Sequence, residues 1–299
     1  MIARMSSAMH GEALPGLPTH MVVTHLLKFL DDPADLARLE CVSRGARDAV
    51  ATTGREVAEL EETDAAQLGC LSALRRLERR GLLDKKHFCT VAARCGNIES
   101  LQWARDIAHG MPRCPWDKYT CASAARGGHL EVLKWLRYKN CPWGETSAAA
   151  ATRPEVEIIE WVHTNGCPWS DDTCSNAAGC GNLEVLKYAR KHFCPWNERT
   201  CHSAAWGGHL DVLVWAHENE APWDMATSRC ASENGQLDVL KWLRAKRCPL
   251  DDRMCDYAAK GGHLEVLKWL RSTRYPWDKW TFGWAVRAET SRGADTPMC

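Results

Sequence analysis

The amino-acid sequence predicts an all-α fold built from consecutive helix pairs, because one short pattern recurs from about residue 83 to residue 287. Self-similarity at a fixed period of roughly 20–50 residues is the signature of repeat architectures. A glycine recurs at Gly96, Gly128, Gly181, Gly208, Gly235 and Gly262. An aromatic residue recurs at Trp103, Trp135, Trp161, Tyr188, Trp215, Trp242 and Trp269. A proline recurs at Pro115, Pro142, Pro168, Pro195, Pro222, Pro249 and Pro276. The last four glycines are each 27 residues apart, so the sequence predicts seven units with a period of about 27.

The first helix of each unit, helix A, is predicted to be short and rich in alanine, with the pattern Thr-Cys-x-x-Ala-Ala. Thr120, Thr173 and Thr200 are expected to be N-caps, because a hydroxyl there can accept a hydrogen bond from a free backbone N–H. The pair Gly127-Gly128 is expected to end the helix, since glycine tolerates the left-handed conformation of a C-cap.

The second helix, helix B, is predicted from Leu130 to about Tyr138. Its apolar residues fall on one continuous arc at helical spacing. These residues are Leu130, Val132, Leu133, Trp135 and Leu136. Proline cannot continue a helix, so the Cys-Pro-Trp segment that follows should end it. Two short helices cannot bury such an arc by themselves, and stacking of neighbouring units is therefore expected to form the core.

The pattern resembles the ankyrin repeat over roughly residues 83–287. The match is carried by Ala124, Ala125, Gly128, His129, Glu131, Val132, Lys134 and Leu136, and it recurs along the chain. The resemblance implies an ankyrin-like helical-repeat solenoid. Ankyrin repeats have a period of about 33 residues, so the β-hairpin finger should be cut to a short turn here. Repeats with this much tryptophan look like those of giant viruses and some protists.

The resemblance also implies a binding surface. In ankyrin stacks, the variable residues of helix A and of the turn before it line the concave face. We therefore expect an unknown protein target to bind Tyr119, Arg126, Asn176, Arg199, His202, Trp206, Arg229, Glu233, Tyr257 and Lys260. These residues mix charge with aromatic rings, as protein-binding surfaces do. The alternative is an ordinary solvated face.

Residues 16–54 are predicted to form a three-helix module that is similar to the F-box. The similarity lies in Leu17-Pro18 and in the later segment 35–47, Asp-Leu-Ala-Arg-Leu-Glu-Cys-Val-Ser-Arg-Gly-Ala-Arg. It implies binding to a Skp1-like subunit of a cullin ubiquitin ligase. The implied apolar contacts are Leu17, Pro18, Leu26, Leu27, Leu30, Leu36, Leu39 and Val42. Ala46 stands where the family usually has tryptophan, and the alternative is that these residues form only the module's own core.

The remaining segments complete the predicted domain organisation. Residues 1–15 are expected to be disordered, residues 55–82 to form linking helices that cap the first repeat, and residues 288–299 to form a flexible tail. Lysine plus arginine balances aspartate plus glutamate at 38 each, which disfavours nucleic acid or an anionic membrane as partner. Sixteen cysteines without an apolar leader favour a reduced, intracellular compartment, cytoplasmic or nuclear, of the host if the chain is viral.

The cysteines and tryptophans could carry chemistry, but their spacing favours packing. No paired Cys-x₂₋₄-Cys motif occurs, so no metal site is predicted. Cysteines recur at the start of helix A and in the loop, which predicts a ladder of small buried thiols. Most tryptophans recur at two repeat positions, and each loop Trp is expected to pack against a neighbour's helix-B Trp rather than to bind a cation or a base. His129, His209 and His263 are expected to be structural hydrogen-bond donors or acceptors.

These patterns predict a non-enzymatic adaptor. No phosphate loop, His-Glu-x-x-His motif or nucleophile elbow occurs in the sequence, so no catalytic residue and no cofactor are predicted. The chain is expected to be a monomer that joins a Skp1–cullin ligase to a protein target. The alternative is a stand-alone ankyrin scaffold or competitive binder without a link to ubiquitin.

Overall fold

The computed structural model describes residues 61–68, 71–84, 87–105, 116 and 118–276, and within these ranges all regular secondary structure is α-helical. The helices are α1 (Glu62–Leu68), α2 (Leu71–Arg79), α3 (Phe88–Cys95), α4 (Ile98–Arg105), α5 (Thr120–Gly127), α6 (Leu130–Tyr138), α7 (Thr146–Ala150), α8 (Val156–Thr164), α9 (Thr173–Gly179), α10 (Leu183–Lys191), α11 (Glu198–Gly207), α12 (Leu210–Glu218), α13 (Met225–Glu233), α14 (Leu237–Ala245), α15 (Met254–Gly261) and α16 (Leu264–Ser272). No strand occurs in these ranges, so the predicted all-α repeat fold is confirmed.

Seven helix pairs follow α1 and α2, and we number them repeats 1 to 7. Helix A of these repeats is α3, α5, α7, α9, α11, α13 and α15, and helix B is the helix after each of them. The chain divides into two compact units, Met1–Gly144 with repeats 1 and 2 and Glu145–Cys299 with repeats 3 to 7. The F-box-like segment 16–54 and the tail 288–299 lie outside the described residues, as do residues 277–287 of the last repeat.

Helix A ends as the sequence predicts, at a glycine with positive φ. Gly128 caps α5 with φ 83°, and its backbone N–H donates to the carbonyl oxygen of Ala125. The next residue, His129, donates its backbone N–H to Ala124. Only glycine enters this left-handed region without a steric cost, which explains why the residue recurs at this position.

The predicted start of helix A is wrong in detail, because the threonines lie within the helix rather than before it. Thr120 and Thr173 are the first residues of α5 and α9, and Thr200 is the third residue of α11. Their side chains are buried inside the stack. Thr173 Oγ1 donates to Ser147 Oγ of the preceding repeat (3.2 Å) and accepts from the backbone N–H of Ser170 (3.2 Å). The hydroxyl therefore joins two repeats instead of capping one helix.

Helix B buries the middle of its apolar arc. In α6, Val132, Leu133 and Leu136 are buried, whereas Leu130 and Trp135 at the edges of the arc are half-buried. Burial of one such aliphatic side chain contributes about 1.5–3 kcal/mol. Between helix B and the next helix A the chain makes only a short turn; residues 219–224, for example, join α12 to α13. A short turn without strands agrees with the predicted loss of the β-hairpin finger.

Small side chains let the A helices of neighbouring repeats pack closely. Ala177 and Ala178 in α9 and Ala204 and Ala205 in α11 are fully buried between helices. The predicted ladder of buried thiols is also present. Cys89, Cys121, Cys174, Cys201 and Cys255 in helix A and Cys141, Cys167, Cys194 and Cys248 in the loops are all buried. Repeat 3 departs most from the pattern, since α7 has five residues and Pro154 stands at the glycine position.

In the first unit, α1 packs against helix A of repeat 1, and α2 packs against α1. Ala65, Ala66 and Leu74 are fully buried there. Ser100 Oγ in α4 donates to the carbonyl oxygen of Ala66 in α1 (3.2 Å). This contact ties the helices before the repeats to the first helix pair, where a stacked array would otherwise expose an apolar end.

Candidate partner-binding face

The ten residues proposed to contact a target all lie on helix A or in the turn before it, and we call the surface that these elements form in each unit the helix-A face. Tyr119 and Arg126 belong to the first unit, and the other eight belong to the second. None of the ten is buried. Exposed members are Tyr119, Arg126, Arg199, Trp206, Arg229 and Lys260, and half-buried members are Asn176, His202, Glu233 and Tyr257. Side chains on this face are thus available to a partner.

A shallow groove of about 300 Å³ crosses the helix-A face of the second unit, between α9, α11 and α13. Its lining residues are Ser175, Asn176, Gly179, Cys180, His202, Ser203, Trp206 and Cys230. Three of the predicted residues, Asn176, His202 and Trp206, meet there. The other five residues have small side chains and were not predicted from the sequence, although Gly179 precedes Trp206 by one 27-residue period. The change from glycine to tryptophan at one repeat position was the signal that could have located the groove.

His202 at the groove is held by an acidic partner in the next repeat. His202 Nε2 lies 2.6 Å from Asp224 Oδ1. The same oxygen caps α13 by accepting a hydrogen bond from the backbone N–H of Ala226 (2.9 Å). Partial burial raises the pKa of Asp224, but His202 and the backbone N–H groups of Ala226 and Thr227 outweigh it and hold the pKa below its usual value. Asp224 therefore stays ionised and fixes the imidazole at the rim.

In several repeats a carbonyl near the end of helix A accepts a hydrogen bond from a side chain of the next repeat. Trp206 O accepts from Asn234 Nδ2 (2.9 Å) and from Gln236 Nε2 (3.3 Å). His209 Nε2 donates to Gly179 O (3.1 Å). The same bond joins His129 to Arg94 O (3.0 Å) and His263 to Glu233 O (2.9 Å). The expectation that these three histidines are structural hydrogen-bonding residues is confirmed, and the bonds fix the helix ends that border the groove.

Side chains along the helix-A face differ from repeat to repeat in the second unit. We call Thr152, Gly179, Trp206, Glu233 and Lys260 the Trp206 row, because they are spaced by 27 residues at the end of helix A. Along the row, the successive residues carry a hydroxyl, no side chain, an indole, a carboxylate and an ammonium group. Within the part of the chain that the structure describes, neither Glu233 nor Lys260 forms an ion pair.

The outward face of helix B, in contrast, carries the same residue type at one position in successive repeats. Its second position is acidic in every repeat from 2 to 7, at Glu131, Glu157, Glu184, Asp211, Asp238 and Glu265. Four of these acids pair with the lysine three residues later, at 2.7–3.5 Å between nitrogen and oxygen. An acidic residue in the first turn also favours the helix dipole. The acidic position is uniform and is paired in four of these six repeats, and helix stability accounts for its residues.

The loop tryptophans are packing residues. Ring centroids of loop and helix-B tryptophans in consecutive repeats lie 5.8 Å apart for Trp116 and Trp135, 6.0 Å for Trp196 and Trp215, and 5.7 Å for Trp223 and Trp242. Such aromatic pairs contribute about 0.5–1.5 kcal/mol beyond their buried area. The predicted packing of each loop Trp on a neighbour's helix-B Trp is confirmed for these three pairs.

The thiols and histidines of the described residues do not converge on a metal. No group of three or more His, Cys, Asp or Glu side chains in these ranges is placed to hold an ion. Burial raises the pKa of the Cys201 and Cys248 thiols to about 12. A protonated, buried thiol behaves as a small apolar group rather than as a nucleophile or ligand.

Two further observations concern a Skp1-like partner and a membrane. The F-box-like contact residues Leu17, Pro18, Leu26, Leu27, Leu30, Leu36, Leu39 and Val42 lie outside the described residues. No helix in the described ranges combines the length and the apolar character that crossing a membrane requires.

Comparison with known proteins supports the repeat assignment. Residues 228–271 match the sequence model of the family described as ankyrin repeats (many copies). Comparison with curated protein sequences gives no match. Similar solved structures include the pentatricopeptide repeat protein PPR10 in complex with an 18-nt psaJ RNA element, at 13% identity over 98% of this chain, with a TM-score of 0.26. A cysteine-to-serine variant of the same complex gives the same values. The chain spans 61% of the length of these proteins.

The matched segment runs from within helix A of repeat 6 to the last turn of helix B of repeat 7. The same sequence pattern recurs in the preceding repeats. Ankyrin repeats are typically non-enzymatic scaffolds for protein–protein interaction. The chain therefore carries ankyrin-type repeats in residues 228–271, and these repeats indicate a protein-binding scaffold.

Proposed function

We propose that the chain is a non-enzymatic adaptor whose helix-A face binds a target protein and whose N-terminal module binds a Skp1-like subunit of a cullin ubiquitin ligase. The proposal of target binding rests on the contrast between the helix-A face and the outward face of helix B. A face with a purely structural role can repeat one residue type, as the acidic positions of helix B do. A face that changes its chemistry at every repeat offers a distinct set of contacts to a partner.

The groove supports the same face as the binding site. It joins an exposed aromatic ring at Trp206 to polar groups at Asn176 and His202, over a floor of small side chains. Protein-binding hot spots combine such an aromatic residue with well-packed surroundings, and tryptophan is among the residues most enriched in them. No comparable feature is needed to stabilise the repeats, because their cores are buried behind this face.

The ligase half of the proposal rests on the sequence of residues 16–54 and on the order of the segments. The F-box-like module precedes the repeats, so one end of the chain could bind the ligase while the other holds the target. Contacts to Skp1 are proposed for the eight apolar residues from Leu17 to Val42. We also propose an intracellular location, in the cytoplasm or nucleus, and a monomeric chain.

Affinity purification of the tagged full chain from cells tests the ligase half. We expect Skp1 and a cullin to be retained, and Leu27→Glu to release them. The variant Trp206→Ala should keep Skp1, which shows that the chain remains folded. If the full chain retains no Skp1–cullin component, the link to ubiquitin is wrong.

The second candidate is a stand-alone ankyrin scaffold or competitive binder, and Ala46 favours it. In the F-box this position usually carries tryptophan, and its loss removes apolar area from a small module. Binding of purified Skp1 to the full chain and to Ala46→Trp separates the candidates. Tighter binding by Ala46→Trp supports the adaptor, whereas no binding by either protein supports the scaffold.

A further inference from the structure

The chain covers the ring faces of its loop tryptophans with its own cationic or imidazole side chains. In three repeats an arginine guanidinium lies over the ring, Arg105 over Trp116, Arg137 over Trp143 and Arg190 over Trp196, at 4.1–4.2 Å from the centroid. In two others a histidine stacks on the ring, His163 on Trp169 at 4.4 Å and His217 on Trp223 at 4.0 Å. A planar guanidinium against an indole is thus the stacking geometry that this sequence uses repeatedly.

Trp206 differs from all of these tryptophans. It lies on the helix-A face, the residue is 48% exposed, and it borders the groove. Among the described residues no cation and no aromatic ring contacts its indole. Its backbone is nevertheless fixed, because Asn234 and Gln236 of the next repeat both donate to its carbonyl oxygen. An open indole face is therefore held in a defined position.

The electrostatic surroundings of Trp206 favour a cation. Helix A and its preceding turn in repeats 4 to 6 carry six carboxylates against two guanidinium groups. These are Asp171, Asp172, Glu198, Glu220, Asp224 and Glu233 against Arg199 and Arg229. Arg199 is engaged by Asp172, at 3.5 Å between Nη1 and Oδ1. Glu233 occupies the position of Trp206 one repeat further and forms no ion pair within the described ranges, so its carboxylate is available to a ligand.

The groove beside the ring provides hydrogen-bond acceptors and is lined by small side chains. Gly179 and Ser203 leave room for a long, thin side chain. The Asn176 amide nitrogen donates to Ala148 O (3.0 Å), which leaves its Oδ1 as an acceptor at the groove. Guanidinium groups carry five N–H donors and no acceptor, so they match a site of this composition.

We propose that this groove binds an arginine side chain of the target protein, with its guanidinium stacked on Trp206 and paired with Glu233. This inference rests on the proposed function. The floor of the groove accepts the aliphatic stem, as arginine stems commonly lie along apolar surface. The target segment is therefore basic at this point. Positive charge is required because a neutral side chain of the same shape would lose both the attraction to the indole face and the attraction to the carboxylate.

Titration of the full chain, with ¹⁵N-labelled tryptophan, by N-acetyl-argininamide tests the proposal through the indole N–H signals. The Trp206 signal is identified by its loss in Trp206→Ala. We expect it to shift saturably, and we expect about fivefold weaker binding of N-acetyl-citrullinamide, the neutral isostere. Glu233→Gln should weaken binding of the arginine probe by about threefold. The Trp196 signal should not shift, because Arg190 already covers that ring.

Equal shifts with the arginine and citrulline probes would overturn the requirement for a cation, and the absence of any shift at Trp206 would overturn the site. Either result can be separated from failure of the proposed function. If the probes fail but Trp206→Ala still releases a target from the full chain, the helix-A face remains a protein-binding surface and only its arginine specificity is wrong.

Discussion

His209 Nε2 donates to the carbonyl oxygen of Gly179 in the preceding repeat, at 3.1 Å. The imidazole lies directly over Gly181, where a built Cβ would come within 2.6 Å of His209 Nδ1. A Cβ built on Gly207 would come within 2.5 Å of His209 Cδ2. The histidine thus needs glycine on both sides, and in this sequence His129, His209 and His263 each follow a Gly-Gly pair. Where another residue precedes the glycine, at Cys180 and Asn234, the bond to the preceding repeat is made by Asn182 or Gln236.

Replacement of the glycine beneath this histidine should destabilise the repeats more than replacement of a glycine in open space. Gly181→Ala places a Cβ at φ 75° and displaces His209, whereas Gly166→Ala has a similar φ of 79° and no atom within 4 Å of the new Cβ. Both variants should lose about 1–2 kcal/mol through backbone strain. Gly181→Ala should lose about 1 kcal/mol more, because the hydrogen bond of His209 is broken. Chemical denaturation of both variants measures this difference.

The role of His209 in the loss of stability of Gly181→Ala can be tested separately. If His209 causes the extra loss, the double variant Gly181→Ala with His209→Ala should be less destabilised than the sum of the two single variants. Equal losses for Gly181→Ala and Gly166→Ala would contradict the proposed contact between repeats.

Removal of the Thr200 hydroxyl should stabilise the chain. Thr200 Oγ1 is buried and has no hydrogen-bond partner in the structure. The equivalent Thr173 Oγ1 bonds Ser147 and contacts Cys194, but one period later these two positions hold Cys174 and Ala221. A buried hydroxyl without a partner costs about 1–3 kcal/mol. Thr200→Val should raise the free energy of unfolding by about 1 kcal/mol, whereas Thr173→Val should lower it by a similar amount.

Thermal and chemical denaturation of the two valine variants checks this difference. The substitution is the same and both sites are buried, so the change of shape is the same in the two variants. Opposite signs of the change in the free energy of unfolding would therefore report the difference in hydrogen bonding. A loss of stability in both variants would show that Thr200 has a partner in solution.

Among the described cysteines, Cys180 should react first with a thiol reagent. It is exposed at the groove, whereas Cys174 and Cys201 in the A helices are buried. Burial raises the pKa of Cys201 to about 12, so it holds little thiolate at neutral pH. Peptide mapping after brief maleimide labelling of the native chain should find the label at Cys180 and, after unfolding, at the other two as well. Rapid native labelling of Cys201 would contradict its burial.

The pair formed by Asp224 and His202 should contribute to stability against acid. Because the folded-state pKa of Asp224 lies below its usual value, its contribution is present above the unfolded-state pKa and is lost as the pH falls through the folded-state pKa. Asp224→Asn should therefore lower the melting temperature near neutral pH and lower it less in strong acid. Asp211→Asn, at an exposed acid on helix B without an ion pair among the described residues, is the control and should change the pH profile little.

The repeat fold could be predicted from the sequence because it depends on local chemistry. Gly128 ends helix A through its positive φ, and Pro142 prevents continuation of helix B; each effect acts within a few residues. The apolar arc that includes Val132 and Leu133 then requires a neighbouring repeat. The N-cap assignment of Thr173 failed because its hydroxyl bonds Ser147 of another repeat, a contact that local pattern does not contain.

The candidate site was predictable only in part for the same reason. Trp206 and His202 stand out in the sequence because they interrupt a regular pattern. Gly179 and Ser203 contribute to the groove through the absence of bulk, which becomes visible only when α9 and α11 are packed side by side. The pairing of His202 with Asp224 likewise depends on the distance between two helices.

Loss of a target on replacement of Trp206 tests the central claim, that the helix-A face binds a protein, most directly. Phe193 is the matched control, because this aromatic ring is 89% exposed but lies just after helix B, away from that face. Quantitative affinity purification should compare the full chain with Trp206→Ala and Phe193→Ala at equal expression. The account predicts that Trp206→Ala releases the target proteins while Phe193→Ala retains them. Retention of the same proteins by Trp206→Ala, or their release only by Phe193→Ala, would contradict it.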